Sequence, residues 1–75
     1  MTQPADFYQK KQAFLKELKY DLSMIIEKAD DKRFDEYLVA DNPDIAMYTK
    51  LIEKMTAAKM SLDFSLGNVE RKMNE

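Results

Sequence analysis

Asp41-Asn42-Pro43-Asp44 decides how this chain folds, because three helix-start signals coincide there. Asn42 suits an N-cap, Pro43 suits the first helical position, where a missing N–H costs nothing, and Asp44 brings negative charge to the positive end of a helix dipole. A strongly periodic segment follows. Tyr48, Leu51, Met55, Ala58, Leu62, Leu66, Val69 and Met73 recur at steps of three and four, within a sector about 80° wide, with Ile45 and Ile52 on one flank. So narrow a seam resembles that of a coiled coil. The spacing predicts a helix over about residues 43–66 with its phase carried on to Met73. Gly67-Asn68 competes with that continuation, since glycine followed by asparagine is a C-cap signal.

Upstream, Thr2 is placed to cap a first helix, with Pro4 in its first turn and Asp6 near its positive end. Phe7, Tyr8, Phe14, Leu15, Leu18, Leu22, Ile25, Ile26 and Ala29 then fall in a sector about 120° wide, interrupted only by Lys11, whose stem can snorkel. Phe34, Tyr37 and Leu38 lie outside that sector. The change of phase predicts a first helix over about residues 4–29 and a bend or short helix in a connector over about 30–42, with Asp30 or Asp31 as its cap. Two helices of about 39 and 36 Å joined by a modest connector indicate an antiparallel hairpin. The expected fold is therefore all-α: one domain spanning residues 1–75, a two-helix hairpin completed into a bundle by self-association or by docking on a partner.

Composition narrows the function. With 75 residues, one glycine, two prolines and no cysteine or histidine, the chain has too few turn residues for a sheet protein, and no disulfide or Cys/His zinc site can reinforce it. A chain this short buries only about 60% of the surface its unfolded form exposes, so association is the remaining way to supplement its core. Absence of cysteine fits a reducing compartment, and no apolar run approaches the length of a signal segment or a spanning helix, so a cytoplasmic location and no membrane partner are expected. The net charge of −2 leaves neither half of the chain a polyelectrolyte.

The inventory also removes most catalytic constellations. Without histidine or cysteine there is no Ser-His or Cys-His pair, and a single glycine cannot build a phosphate-cradling loop. Asp30, Asp31, Asp35 and Glu36 form the one acidic cluster; Lys32 and Arg33 sit inside it, and it lacks the ligand spacing of a calcium loop, so it reads as a solvated connector. No catalytic residue, metal, cofactor or small-molecule substrate is expected. Lys10, Lys11, Lys16 and Lys19 spread over more than half of a helical wheel among Asp6, Glu17 and Asp21, which disfavours a nucleic-acid face. Residues 62–71 resemble the turn and recognition-helix start of helix-turn-helix proteins, with Ser65 as cap and Val69 buried. Lys59 and Asp63 depart from that pattern, and a pI of about 5.1 is wrong for a bare DNA-binding domain.

More informative are apolar residues on the backs of both helices. Tyr20 with Met24, and Met60 with Phe64, are i, i+4 pairs that a lone hairpin leaves in water, and six methionines supply an adaptable surface. These four residues, with Phe34 and Leu38 next, are the expected partner-binding set. The expected function is that of a non-enzymatic interaction module, an adaptor, inhibitor, chaperone or structural subunit, whose partner is itself, as a dimer, or a larger protein.

Asp41-Asn42-Pro43-Asp44 before an apolar helix is also similar to the loop of type III secretion needle subunits, which are small helical hairpins, over about the C-terminal 35 residues. After Pro43 the apolar phase slips by one position from that pattern. The small hairpin chaperones of needle subunits resemble the chain equally. Either resemblance implies a secretion subunit or its chaperone as an alternative to a generic interaction module, and neither is specific enough to assign a family.

Overall fold

The computed structural model describes residues 4–75, with side chains from Asp6 onward. Two helices, α1 (Pro4–Val39) and α2 (Ile45–Met73), fold back on each other as an antiparallel hairpin, a rod of 61 × 16 × 14 Å. Its radius of gyration is 17.3 Å, where a globular chain of this length has about 11 Å.

Both helices meet along seams of three- and four-residue steps. On α1 the inward positions are Tyr8, Gln12, Leu15, Lys19, Leu22, Ile26, Ala29, Arg33 and Glu36, with Ala40 just past its end; on α2 they are Ile45, Tyr48, Ile52, Met55, Lys59, Leu62, Leu66, Val69 and Met73. All are buried or half-buried, and the strict alternation of the steps is the 3.5-residue period of a coiled coil. The seam therefore drifts slowly around a straight helical wheel, by about 20° per heptad. That drift corrects several sequence expectations. Phe7, Phe14, Leu18 and Ile25, inside the straight-wheel sector of α1, are exposed beside the seam, as are Leu51 and Ala58 on α2, whereas Ile52, expected on the flank, lies in it.

The first helix does not end near residue 29 but runs unbroken through the expected connector to Val39. Ala29, Arg33, Glu36 and Ala40 carry the inward face there, so no bend is needed to bury Phe34, Tyr37 and Leu38; these three point outward, at 62%, 68% and 61% exposure. What remains of the connector is residues 40–44. Asp44, not Asn42, caps α2: its carboxylate accepts a hydrogen bond from the Met47 N–H at 3.4 Å, and Pro43 precedes the cap. A carboxylate in that position meets one of the free N–H groups of the first turn as well as the dipole. At the other end α2 continues through Gly67, which has no left-handed backbone, to a cap at Asn74, with Arg71 and Lys72 set against the negative end of the dipole. Thr2, the expected cap of α1, lies outside the described residues.

Packing is uneven along the rod. Leu15, Leu66 and Val69 are the buried core, supported by Tyr8, Leu62 and Met73, and they sit toward the end remote from the connector. Leu66→Ala should lower the unfolding free energy by about 2–4 kcal/mol, read from thermal or urea melts followed by far-UV circular dichroism. Gly67 has the opposite sign. A Cβ there would meet nothing within 4 Å, so Gly67→Ala removes the helix-interior penalty of glycine and should stabilise by about 0.5–1 kcal/mol, a rise in Tm of a few degrees.

Candidate interaction surface

The hairpin has two unlike sides. On one, polar groups bridge the helices at regular intervals: Gln12 Nε2 donates to Glu70 Oε2 at 3.0 Å, Lys19 Nζ lies 2.5 Å from Asp63 Oδ1, and an Arg33 guanidinium nitrogen donates to Thr49 Oγ1 at 3.1 Å. Residues 12, 19 and 33 sit at heptad-related positions of α1, and 70, 63 and 49 step back by the same intervals on α2. The bridges therefore mark one edge of the seam, where a long polar side chain from the seam of α1 reaches across to α2. Arg33 is itself held from behind by Asp30 at 2.5 Å. Exposed pairs of this kind contribute about 0–1 kcal/mol each, so they act chiefly on register.

Along the same edge runs a shallow groove of about 490 Å³ lined by Lys16, Lys19, Tyr20, Ser23, Asp63, Leu66, Gly67 and Glu70. Tyr20 is the one expected partner-binding residue that borders it. Met24, Met60 and Phe64 are exposed at 45%, 67% and 72%. Phe34 and Leu38 stand at the heptad-related positions that continue the Tyr20 and Met24 row toward the connector, so these four share one outer stripe of α1. The hairpin leaves all six residues in solvent.

The opposite edge carries the residues that sequence reasoning misassigned to the hairpin interior. A groove there is lined by Tyr8, Lys11, Ser65, Asn68, Val69 and Lys72. Lys11 stands in line with Phe14, Leu18 and Ile25 at helical spacing. Phe14, Leu18 and Ile25 are therefore exposed on the side away from the polar bridges, at 57%, 36% and 50%. Among the described residues no cross-helix ion pair or side-chain hydrogen bond spans this edge. Gln12, Lys19 and Arg33 share a face of α1 with Leu15, Leu22 and Ile26, and because they are polar the hydrophobic pattern alone does not draw the seam toward them and away from Phe14 and Leu18.

Glu36, expected as part of a solvated acidic cluster, instead ties the connector down. One carboxylate oxygen accepts from the Asp44 N–H at 3.3 Å and the other from the Tyr48 hydroxyl. The Tyr48 hydrogen bond, then the Asp44 N–H, hold the Glu36 carboxyl below the ordinary glutamate range, with a smaller contribution from Lys32. The same bond to Glu36 pushes the Tyr48 phenol up. Within that acidic cluster Asp30 is engaged by Arg33. Residues 62–71, expected by one reading to hold a recognition turn, are uninterrupted α-helix.

No helix among the described residues is long and apolar enough to cross a membrane. In comparisons with known proteins the sequence matches no family model, no curated protein and no solved structure.

The latch sets a pH window. With Glu36 depressed, its contribution is present above the unfolded glutamate value of about 4.3 and is lost as pH falls through the lower folded value. With Tyr48 raised, the contribution is present below the unfolded tyrosine value of about 10 and is lost as pH rises through the higher folded value. Tm plotted against pH should show both limbs in the wild type; because each shift rests chiefly on the Glu36–Tyr48 hydrogen bond, Glu36→Gln should flatten both limbs, and Tyr48→Phe should remove the alkaline limb and shrink the acid one to what the Asp44 N–H sustains. Identical profiles in all three proteins would remove the latch from the account of stability.

Proposed function

We propose that this protein is a non-enzymatic, cytoplasmic interaction module that binds another protein through apolar helix faces which its own seam leaves uncovered. The observation that carries this reading is the imbalance between core and surface. Leu15, Leu66 and Val69 are buried, whereas fourteen large apolar side chains among the described residues stay exposed. Scattered single apolar residues need no cause. Here they form rows: Tyr20, Met24, Phe34 and Leu38 on the outer stripe of α1, Met60 with Phe64 on α2, and Phe14, Leu18 and Ile25 on the open edge.

Area arithmetic supports the same reading. The chain exposes 6041 Å², while a globular chain of its mass exposes about 4,800 Å². The excess of about 1,250 Å² is larger than the roughly 800 Å² that each partner contributes to a standard interface. Conformational entropy costs about 1–2 kcal/mol per ordered residue, and a three-residue core offsets little of it, so a second molecule is the economical source of the missing burial.

The test uses two double variants, Met60→Glu with Phe64→Glu and Phe34→Glu with Leu38→Glu. Because nothing inside the hairpin rests on these side chains, both should keep wild-type helicity and a Tm within a few degrees. At least one of these, or a variant of the open edge such as Ile25→Glu, should weaken by tenfold or more the complex that the wild-type chain forms in cross-linking and sedimentation experiments. Collapse of helicity would mean the side chains are core. Wild-type complexes in both variants, and in variants of the open edge, would refute binding through apolar faces.

A further inference from the structure

Resting on the interaction reading above, we propose that the partner is a second copy of this chain, seated on the open edge, so that two hairpins close into a four-helix bundle with the polar bridges on its outside. The carrying observation is that this edge is complementary to itself. The bridges set residue 12 beside 70, 19 beside 63 and 33 beside 49, so each step up α1 is matched by one step down α2. On that ladder Phe14 is level with Asn68, and Leu18 and Ile25 stand within one residue, about 1.5 Å of rise, of Ser65 and Ala58.

The open edge thus pairs a ridge with a trough at nearly equal heights. Phe14, Leu18 and Ile25 project from α1, at 57%, 36% and 50% exposure, beside the shorter Asn68, Ser65, Ser61 and Ala58 of α2. A two-fold axis parallel to the rod lays α1 of one copy over α2 of the other without changing height. Leu18 of each copy then meets Ser65 of its partner, and Ile25 meets Ala58, twice over, as an isologous interface requires. Every neighbouring pair of helices in the resulting bundle is antiparallel, the arrangement that short connections favour.

The area agrees. A two-chain globule of this mass exposes about 4,000 Å² per chain, so closure would cover about 2,000 Å² of the 6041 Å² on each hairpin, which lies in the range of obligate homodimers. Leu51, 44% exposed on the same edge of α2, extends the apolar strip toward the connector. Lys11 and Lys28 on α1 and Lys54 and Lys72 on α2 bracket the strip; the two-fold sets Lys11 near the height of Lys72 and Lys28 at that of Lys54 of the other copy, and their stems carry these like charges outward into water.

The experiment uses the full chain, which has no cysteine of its own. Sedimentation equilibrium should give a dimer at micromolar concentration, with a Tm that rises with concentration. Two single variants, Ile25→Cys and Ala58→Cys, are then mixed and oxidised with glutathione disulfide. The mixture should yield a covalent dimer joining the two different chains, while each variant alone, whose thiols lie on diagonally opposed helices, should yield at least tenfold less. Ile25→Glu should loosen the dimer tenfold or more, and Tyr20→Glu, on the bridged edge, should leave it unchanged. A chain monomeric at 100 µM would overturn the homodimer, as would a dimer in which Ile25→Cys links to itself or Tyr20→Glu is the disruptive change. In either case binding of a different protein that Met60→Glu with Phe64→Glu weakens would leave the interaction reading standing.

Discussion

Everything in this hairpin follows from the register in which Gln12, Lys19 and Arg33 reach across to Glu70, Asp63 and Thr49. Apolar seams alone tolerate sliding, because a shift by one turn still sets one hydrophobic row against another. Polar seam residues do not. A slide of four residues in one direction brings Lys19 toward Lys59, a like charge on the facing seam, and strands Asp63. The Glu36 carboxylate adds a second constraint at the connector, where it holds both the first N–H of the cap residue Asp44 and the hydroxyl of Tyr48. Register is thereby fixed by groups whose individual contributions to stability are small, which is how polar seam residues act in coiled coils.

Because these bridges all lie on one edge, the hairpin is sided. Lysine and arginine at inward positions also thin the core: among the described residues only Leu15, Leu66 and Val69 are buried, and toward the connector hydrogen bonds take over from packing. The length of α1, 36 residues, keeps the apolar side chains of its last turns on a continuous rod instead of folding them inward. Sequence, packing and surface are linked here by one choice. Polar residues placed on the seam at heptad-related intervals turn the remaining apolar residues outward.

Although the Gly67-Asn68 cap signal leaves open where α2 ends, the hairpin, its antiparallel sense and the presence of α2 were legible because Asp41-Asn42-Pro43-Asp44 is strong punctuation and the phase from Tyr48 to Met73 is long. The end of α1 was not. On a straight wheel Phe34, Tyr37 and Leu38 leave the apolar sector, and the only readings then open were a bend or a new element. The third solution, a straight helix with those residues in water and Arg33 and Glu36 turned inward, requires knowing that charged side chains find partners across the seam. The same knowledge separates Leu15 from Phe14 and Ile52 from Leu51. Both members of each pair are strongly apolar, and the seam drift decides. Exposure at Tyr20, Met24, Met60 and Phe64 was inferable because they stand far from any apolar sector, so no drift of a few tens of degrees could bury them.

A polar residue at a seam position weakens the pair of helices that contains it, and apolar replacements at Gln12, Lys19 and Arg33 would give a more stable isolated hairpin. Such replacements would also erase the difference between the two edges. With an all-apolar seam the helices could rotate to share Phe14, Leu18 and Ile25 between them, and the outward ridge would vanish into the hairpin. The bridges prevent that rotation, since turning α1 by about 50° toward its open edge pulls Lys19 and Gln12 away from Asp63 and Glu70. Polar seam residues thus hold an apolar ridge in water, at a cost to the single hairpin that only burial of the ridge against another surface would offset.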